Sequence, residues 1–419
     1  MPTFKEGDKL QLESGNVSIT IKNYIAQGGQ GEVYRVSYLG REFALKWYSK
    51  YIPSQAFYEN LINNVKNGAP GEHFLWPRAV TAKYNGTFGY VMDLIPSEYE
   101  EFSSFLLGTT RFSSWLMLIK AALNIVDSFF LLHSKGYSYQ DLNEGGFFIN
   151  PENGDVLICD NDNVAPFGIN LGVKGMPKYM APEVVTNRTK PNTHSDRFSL
   201  AVILFRLFYI DHPLEGKYTI QFPLTDEIGA DLFGEHPLFI YDPDDNRNRP
   251  DENAHPNVIN RWNMFPPDLN ITFIKAFTSG MKNINERITE AQWIETLVKV
   301  RSMLIVIDGK EQFVNAYKPS ELPQNCRVLK TDSMAIALAD GSYTYLCQTD
   351  GTTTDYNTVT GVVKASKNDK NILGLGNVTE QNWTVTLPGK NPVMVKPKTF
   401  APLVPGTIIK FGNTTAKVY

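Results

Sequence analysis

The stretch YSYQDLNEGGFFINPENGDVLICDND, residues 137–162, decides the fold. It contains two short apolar runs, 147–149 and 156–159, and the residues between them, PENGD, are typical of a turn. Asp141 precedes the first run and Asp160 follows the second. The pattern predicts two short strands that bring these aspartates side by side.

Two neighbouring carboxylates of this kind suit phosphoryl transfer. One carboxylate can accept the proton of an attacking hydroxyl, while the other holds the magnesium ion that bridges the nucleotide phosphates. The residues on either side test this hypothesis.

Upstream, residues 17–26 and 32–38 alternate between apolar and polar, which predicts two strands joined by the turn QGGQG. Gly28, Gly29 and Gly31 in that turn would let the backbone approach phosphate oxygens closely. Glycine turns also join many ordinary hairpins, so the turn alone leaves both interpretations open.

The next predicted strand, 41–48, places Lys46 in an otherwise apolar run, where the ammonium needs an anion. A predicted helix over 53–66 follows, and Glu59 is its only carboxylate. We therefore expect a Lys46–Glu59 ion pair that orients the ammonium toward phosphates. The alternative is that Lys46 extends to solvent and Glu59 lies on a solvated face.

Further strand patterns at 73–84 and 88–95 complete a predicted five-stranded sheet with one helix. Pro96 and the acidic SEYEE that follows read as a hinge. A helical stripe of apolar residues then continues from 112 to 133, which predicts a core-facing helix.

The motifs AQGGQGEVY, FALK, YQDL, DND, GMPKYMAPE and SDRFSLAVILF, in this order, resemble those of the eukaryotic-type serine/threonine protein kinases. The resemblance covers about residues 17–303. The motifs YQD and CDNDNV are similar to those of a bacterial branch of these kinases. Members of that branch are often found together with a von Willebrand A-type protein and a metal-dependent phosphatase. The resemblance therefore implies a protein substrate and, in addition, partners of these two classes.

The resemblance also implies roles for individual residues, with ATP and Mg²⁺, or alternatively Mn²⁺, as cofactors. Asp141 would be the catalytic base, Lys46 oriented by Glu59 would contact phosphates, and Asp160 would bind the metal. The nucleotide-binding set would comprise Gly28, Gly29, Gly31, Val33, Ala44, Lys46, Met92, Asp93, Leu94, Ile95 and Phe148.

Three further residues would have supporting roles in such a fold. Glu183 would pair with Arg287, and Asp196 would hold the catalytic loop through backbone N–H groups. Small-molecule phosphotransferases of related shape usually lack the first of these links.

The catalytic loop departs from the family pattern at two positions that regulate activity. Tyr139 replaces the usual histidine and Gln140 the usual arginine, so no cation is available there for a phosphorylated activation loop. Residues 161–182 contain no serine or threonine, and Tyr179 is their only hydroxyl. The sequence predicts a kinase that is constitutive or controlled by a partner.

Other departures bear on catalysis itself. Gly146 stands where a metal-binding asparagine is expected, and Asn143 where a lysine is expected. Met176 replaces a threonine that braces the substrate-binding loop, and Asn161 replaces a phenylalanine. Asp162 or Asn143 are candidates for the missing metal ligand.

The rest of the chain gives weaker signals. The polar stretch 239–257 predicts a surface insertion, with a metal site formed by its acidic residues and His255 as the less favoured alternative. Residues 306–327 read as a linker, and the short alternating runs of 328–419 predict a β-sandwich. The arrangement of NILGLGN, Trp383 and the final IIKFG resembles the second half of a forkhead-associated domain, whereas a zinc site is not predicted because Cys326 lacks partners.

Composition limits the compartment and the partners. The 40 Lys+Arg and 44 Asp+Glu give a net charge of −4, which offers no basis for nucleic-acid binding. Three scattered cysteines favour a reducing cytosol. No signal peptide or membrane span is predicted, so we expect a cytoplasmic location.

The sequence thus predicts an α+β protein. Its predicted domains are a kinase N-lobe (1–95), a C-lobe (96–305), a linker (306–327) and a forkhead-associated-like sandwich (328–419). The predicted activity is ATP-dependent phosphorylation of serine or threonine in a partner protein. The alternatives are a pseudokinase that serves as a scaffold or nucleotide-binding regulatory module, favoured by Gly146 and Met176, and a small-molecule kinase.

Overall fold

The computed structural model describes residues 2–15, 17–172, 175–223, 225–351 and 354–419. Helices and sheets are mixed in the first part of the chain and strands dominate the second, which confirms the predicted α+β class. The chain forms two compact units. They comprise residues 1–113, 120–259 and 273–291 in the first, and 114–119, 260–272 and 292–419 in the second.

The first unit begins with a six-stranded antiparallel sheet in the order β1-β2-β3-β4-β6-β5. Its strands are β1 (Lys9–Gln11), β2 (Ser18–Gln27), β3 (Gly31–Tyr38), β4 (Arg41–Tyr48), β5 (Ala79–Val80) and β6 (Gly89–Met92). The sequence predicts only five of these strands, because β1 has three residues and is too short for an alternating pattern. The predicted strand 73–84 is reduced to the two residues of β5.

Helix α1 (Gln55–Asn67) packs its apolar face on this sheet. It begins after Ser54, whose Oγ accepts a hydrogen bond from the backbone N–H of Phe57 at 3.2 Å. It ends at Gly68, which has a φ of 74°. Phe57, Tyr58, Leu61 and Asn64 lie on the buried face, which leaves Glu59 on the exposed one.

Helices and short strands make up the remainder of the first part of the chain. The helices are α2 (Phe102–Leu106), α3 (Trp115–Ser134), α4 (Pro182–Val185), α5 (Thr193–Tyr209), α6 (Asp226–Ala230), α7 (Pro256–Arg261), α8 (Pro267–Phe277), α9 (Ser279–Lys282) and α10 (Glu290–Ser302). The strands are β7 (Glu100–Glu101), β8 (Tyr137–Ser138), β9 (Phe147–Ile149), β10 (Val156–Ile158) and β11 (Ala165–Pro166). The predicted hairpin of the opening stretch is confirmed, since β9 pairs with β10 in antiparallel register.

Helix α3 is the only helix in the described ranges that is long and apolar enough to cross a membrane. However, 61% of the most apolar window of this helix is buried inside the protein. Such burial is typical of the core helix of a globular domain.

The predicted surface insertion is more deeply packed than expected. Asn248 is 1% exposed, and its amide donates to the carbonyls of Leu214 and Leu238 at 2.9 and 2.8 Å. His255 is also buried and accepts a hydrogen bond from the backbone N–H of Asp251. Among the described residues no group of three or more potential metal-binding side chains is found, so the metal alternative gains no support.

The second unit contains a β-sandwich. One sheet has the order β15-β14-β23-β22-β19-β20 and the other β16-β17-β18-β21. Its elements are β14 (Arg327–Lys330), β15 (Ala335–Leu338), β16 (Tyr343–Tyr345), α11 (Leu346–Thr349), β17 (Val359–Ala365), β18 (Leu373–Asn377), β19 (Trp383–Thr386), β20 (Val393–Val395), β21 (Phe400–Pro402), β22 (Ile408–Phe411) and β23 (Thr414–Val418). Residues from both sheets, including Leu329 and Leu375, form one buried apolar core.

The segment predicted as a linker is structured. Residues of β12 (Leu304–Ile307) pair with β13 (Lys310–Phe313) in an antiparallel hairpin. Ala316 and Cys326 from this segment are buried in a common apolar cluster with residues of the sandwich. The apolar side chains are too widely spaced along the sequence to give a periodic signal.

Candidate active site

Lys46 lies near the end of β4, where Val33 of β3 and Tyr90 of β6 are its neighbours across the strands. Its Nζ donates to Asp160 Oδ1 at 2.8 Å and to Asp162 Oδ2 at 3.1 Å. Burial alone would lower the pKa of Lys46, but the two carboxylates outweigh it and raise the pKa above its usual value. The structure therefore holds a charged ammonium at the predicted phosphate-binding position.

The predicted Lys46–Glu59 ion pair is wrong. Glu59 is exposed, and its Oε1 accepts a hydrogen bond from Gln55 Nε2 at 2.8 Å on the same helix. The reason is the rotation of α1 about its axis, which sequence periodicity fixes only loosely.

Two amides lock that rotation. The side-chain amides of Asn60 and Asn64 both donate to the carbonyl of Val164 at 2.8 Å. The indole of Trp76 donates to the carbonyl of Asn64, also at 2.8 Å. These bonds turn the side of α1 that carries Asn60 toward the segment that follows Asp162. Glu59 therefore points away from that segment.

Asp162 takes the place that sequence assigned to Glu59. Its side chain is fully buried, and it accepts hydrogen bonds from Lys46 and from the hydroxyls of Tyr48 and Tyr90. Since burial raises the pKa of both tyrosines well above the usual value, they are neutral donors. Because these hydrogen bonds use both carboxylate oxygens of Asp162, Asp162 is not available to replace the missing metal ligand.

Asp160 has a different environment. Its side chain is 45% exposed, and its backbone is left-handed with a φ of 52°. Such strained conformations in residues other than glycine cluster at functional sites. The exposed carboxylate oxygens suit a hard cation such as Mg²⁺.

Asp141 is mostly buried beside these carboxylates. Burial raises its pKa to about 6; a hydrogen bond from Asn143 Nδ2 at 3.2 Å opposes that rise, and the charges of Asp160 and Asp162 add to it. Asn143 also accepts a hydrogen bond from the N–H of Gly145 at 3.0 Å, so its side chain shapes the catalytic loop and is not directed to a metal. A carboxylate with a pKa near 6 is suited to act as a base at neutral pH.

Tyr139 explains why residue 146 is a glycine. The Tyr139 hydroxyl donates to the carbonyl of Cys159, and the phenol is 1% exposed. A Cβ on Gly146 would lie 3.0 Å from that hydroxyl. The tyrosine hydroxyl thus crowds the position of a side chain at residue 146, so the expected asparagine would require the phenol to shift, and the two departures are coupled.

An apolar cluster lies next to the charged groups. It contains Ala44 and Met92 with the half-buried side chains of Val33, Leu94, Ile95 and Phe148. The structure therefore brings together the apolar residues that the resemblance assigns to the adenine pocket. Asp93 lies beside them and pairs through its side chain with Arg78 at 2.5 Å.

The glycine turn closes this region. The N–H of Gly28 donates to the carbonyl of Gly31 at 2.8 Å between β2 and β3. A Cβ on Gly31 would lie 1.9 Å from the carbonyl oxygen of Trp47, so only glycine fits there. Gly28 and Gly29 are exposed, and a Cβ on either would meet no atom closer than 3.9 Å.

The segment after Asp162 is held without a phosphate. Gln140 Nε2 donates to the carbonyl of Ile169 at 2.6 Å, and Asn170 Nδ2 donates to Gln140 Oε1 at 3.4 Å. Tyr179, the only hydroxyl in 161–182, is 1% exposed. Val173 and Lys174 of that segment lie outside the described residues.

The predicted supporting contacts are confirmed. Arg287 binds both carboxylate oxygens of Glu183, at 2.8 and 2.7 Å. Asp196 accepts hydrogen bonds from the backbone N–H groups of Tyr139 and Gln140, at 2.6 and 3.1 Å. These contacts anchor the catalytic loop and the end of the activation segment.

His133 extends this network. It lies 2.9 Å from Glu290 and 3.2 Å from Asp196, and Arg197 also donates to Glu290. Burial alone would lower the pKa of His133, but these hydrogen bonds and charges raise it to about 9. His133 is therefore a buried cation at neutral pH.

Comparison with known proteins places this geometry in a family. The protein kinase domain model matches residues 19–229, just over half of the chain. The chain belongs to the protein kinase domain family. Its matches among curated proteins include Protein kinase YegI of Escherichia coli K12, which is 25% identical over 325 residues, or 72% of this chain and 47% of that protein.

The protein of the same name in Escherichia coli O157:H7 is 25% identical over 308 residues, covering 68% of this chain and 45% of that protein. The chain thus spans about half the length of the curated relatives that it matches. Within the kinase domain, sequence reasoning missed Asp162 as the buried partner of Lys46 and the coupling of Tyr139 to Gly146. The second acidic residue of DND, two positions after Asp160, was the available signal for Asp162.

Proposed function

We propose that the chain is a protein kinase that transfers the γ-phosphate of ATP to a serine or threonine hydroxyl of a partner protein. The observation that supports this best is the convergence of Lys46, Asp141 and Asp160 beside one apolar cluster. The membership of the chain in the protein kinase domain family supports the same activity.

In this proposal Lys46 contacts the phosphates of ATP. Asp141 orients the substrate hydroxyl and accepts its proton as the oxygen attacks the γ-phosphorus, and ADP leaves with the electrons of the broken bond. Asp160 would hold Mg²⁺, or alternatively Mn²⁺, which neutralises phosphate charge when it is bound.

The donor set fits one divalent cation better than two. Asp160 is half-exposed, whereas Asp162 is buried on Lys46 and Gly146 has no side chain. Water and phosphate oxygens would have to complete the coordination, which is usual for Mg²⁺.

Activity without phosphorylation of the activation segment also belongs to the proposal. Gln140 holds that segment by a neutral hydrogen bond to Ile169, so no phosphate is needed to bridge it. The partner classes implied by the family resemblance, a von Willebrand A-type protein and a phosphatase, stay predictions. The forkhead-associated character of the sandwich stays a prediction as well.

A pseudokinase that binds nucleotide without transferring phosphate is the second candidate. The specific observation that favours it is the Tyr139 hydroxyl, which would lie only 3.0 Å from a Cβ at position 146 and so crowds any metal-binding side chain there. A stabilising shift in melting temperature with ATP and Mg²⁺ would be common to both functions.

Transfer of radioactive phosphate separates the two functions. The full chain is incubated with labelled ATP and Mg²⁺, alone and with cell extract proteins, beside an Asp141→Asn variant. We expect label in protein with wild type and at least a hundredfold less with the variant. Equal incorporation by both proteins, or none by either, would exclude the kinase.

A further inference from the structure

The two carboxylates that bind Lys46 differ in solvation. Asp162 is 0% exposed, while the Asp160 side chain is 45% exposed. A half-exposed carboxylate that loses its ammonium partner is solvated by water. A fully buried carboxylate in the same situation stays uncompensated, and that is strongly unfavourable.

The ammonium of Lys46 has three protons and can serve more than one acceptor at once. It lies 2.8 Å from Asp160 and within 3.2 Å of both oxygens of Asp162. A phosphate oxygen can therefore replace Asp160 at Lys46 while the contact with Asp162 stays in place. Asp160 would then be free to bind a metal ion.

The surroundings of Asp162 fix its orientation. The hydroxyl of Tyr48 donates to Oδ2, and that of Tyr90 donates to Oδ1 at 3.3 Å. Tyr48 is on β4 with Lys46, and Tyr90 is on β6 opposite Lys46. Asp162 is thus held by the same rigid sheet that carries the lysine.

Glu59 cannot reach Lys46 without the loss of other contacts. Turning α1 until Glu59 faced the lysine would break the hydrogen bonds from Asn60 and Asn64 to Val164. It would also expose Phe57 and Leu61, which are 1% and 0% exposed.

We propose that Asp162 is the positioning residue of Lys46: it holds the ammonium on the sheet, ready for the nucleotide phosphates, in the role usually given to a glutamate of the neighbouring helix. The proposal rests on the proposed kinase function and adds a residue to it. The lysine would be in position whatever the orientation of α1, so movement of that helix would not switch the site on and off.

The test compares full-length variants of both acids. Asp162→Asn keeps the size of the side chain but removes the charge, and Glu59→Gln makes the same change on α1. Tyr48→Phe removes one hydroxyl donor to Asp162 and keeps the ring, which serves if Asp162→Asn does not fold. For each protein, kcat and KM for ATP are measured by label transfer, and the affinity for a non-hydrolysable ATP analogue with Mg²⁺ is measured by calorimetry.

We expect Asp162→Asn to lower kcat about a hundredfold, because a misplaced cation no longer stabilises transition-state charge. The same variant should weaken analogue binding by about tenfold, so that kcat falls more than KM rises. Tyr48→Phe should lower kcat by about threefold to tenfold. Glu59→Gln should change each quantity by less than about twofold, as is usual for an exposed pair.

A Glu59→Gln effect equal to or larger than that of Asp162→Asn would overturn the proposal. So would a normal kcat and analogue affinity in folded Asp162→Asn or, if that protein does not fold, in Tyr48→Phe. Analogue binding needs no phosphoryl transfer, so it judges Asp162 even if wild type transfers no phosphate. In that case the proposed kinase function is wrong. The affinities of the variants for the ATP analogue then decide by themselves whether Asp162 positions Lys46.

Discussion

Arg287 and Lys46 are both cations in the first unit, and both bind carboxylates that are far away in the sequence. They differ in whether the order of the motifs predicts their partner. Arg287 binds Glu183, the partner that motif order predicts. Lys46 binds Asp160 and Asp162, whereas motif order predicts Glu59.

The contrast shows what determines each partner. Glu183 and Arg287 are anchored by backbone contacts around them, including the bond from Arg287 to the carbonyl of His194 at 2.9 Å. Whether Glu59 can reach Lys46 depends on the rotation of α1, and that rotation depends on amide contacts of Asn60 and Asn64. An acid on a helix is a contact candidate only after the helix orientation is known.

The strongest challenge to this comparison is removal of the lysine. We expect Lys46→Met to abolish label transfer and to lower the free energy of unfolding by about 3 kcal/mol, because Asp162 would lose its cation in a buried place. Denaturant unfolding measures the second effect. Lys22→Met, at an exposed position of β2, is the matched control, and equal stability of the two variants would contradict the buried-pair account.

Arg287→Met is the corresponding change at the other cation. Here too we expect a loss of about 3 kcal/mol in unfolding free energy, since Glu183 would be left without its bidentate partner. Affinity for an ATP analogue should be normal in the protein that is still folded. A large loss of affinity without loss of stability would show that this pair is not merely structural.

The buried histidine sharpens the comparison through pH. The pKa of His133 is raised to about 9 by Asp196 and Glu290 against the effect of burial, so its contribution to stability is complete below about pH 6.5 and is lost as the pH rises through 9. We expect a loss of roughly 3 kcal/mol in unfolding free energy between pH 6 and pH 10. The loss should be much smaller in His133→Gln, and identical pH profiles would refute this assignment.

The smallest expected effect concerns the base. Because burial raises the pKa of Asp141 to about 6, kcat/KM should fall about tenfold per pH unit below pH 6 and be level above it. Asn143→Ala removes the hydrogen bond that opposes this rise, so the acid limb should move to higher pH. A limb near pH 4, or a shift to lower pH in the variant, would argue against Asp141 as the base.

Sequence reasoning was most successful where local pattern and chain order suffice. The hairpin of β9 and β10, the glycine turn and the contacts of Glu183 and Asp196 all follow from motifs of a few residues. It was least successful where side chains from distant segments compete for one space. The Tyr139 hydroxyl against Gly146 is such a case, since no local pattern reveals that one side chain replaces the other.

The same limit applies to segments without periodicity. Residues 306–327 contain most of a hairpin that begins at Leu304 and a share of a buried core, although their spacing suggests a linker. Asn248 is buried inside the stretch that composition marks as a surface insertion. Polar residues give no sequence signal of burial when backbone carbonyls, rather than other side chains, satisfy them.

The most direct test of the Lys46–Asp162 pair is a crystal structure of the full chain with Mg²⁺ and a non-hydrolysable ATP analogue. We expect Lys46 Nζ within hydrogen-bond distance of both a phosphate oxygen and Asp162, with Glu59 in solvent. A complex in which Glu59 lies within about 4 Å of Lys46 Nζ and Asp162 has moved away would contradict the account.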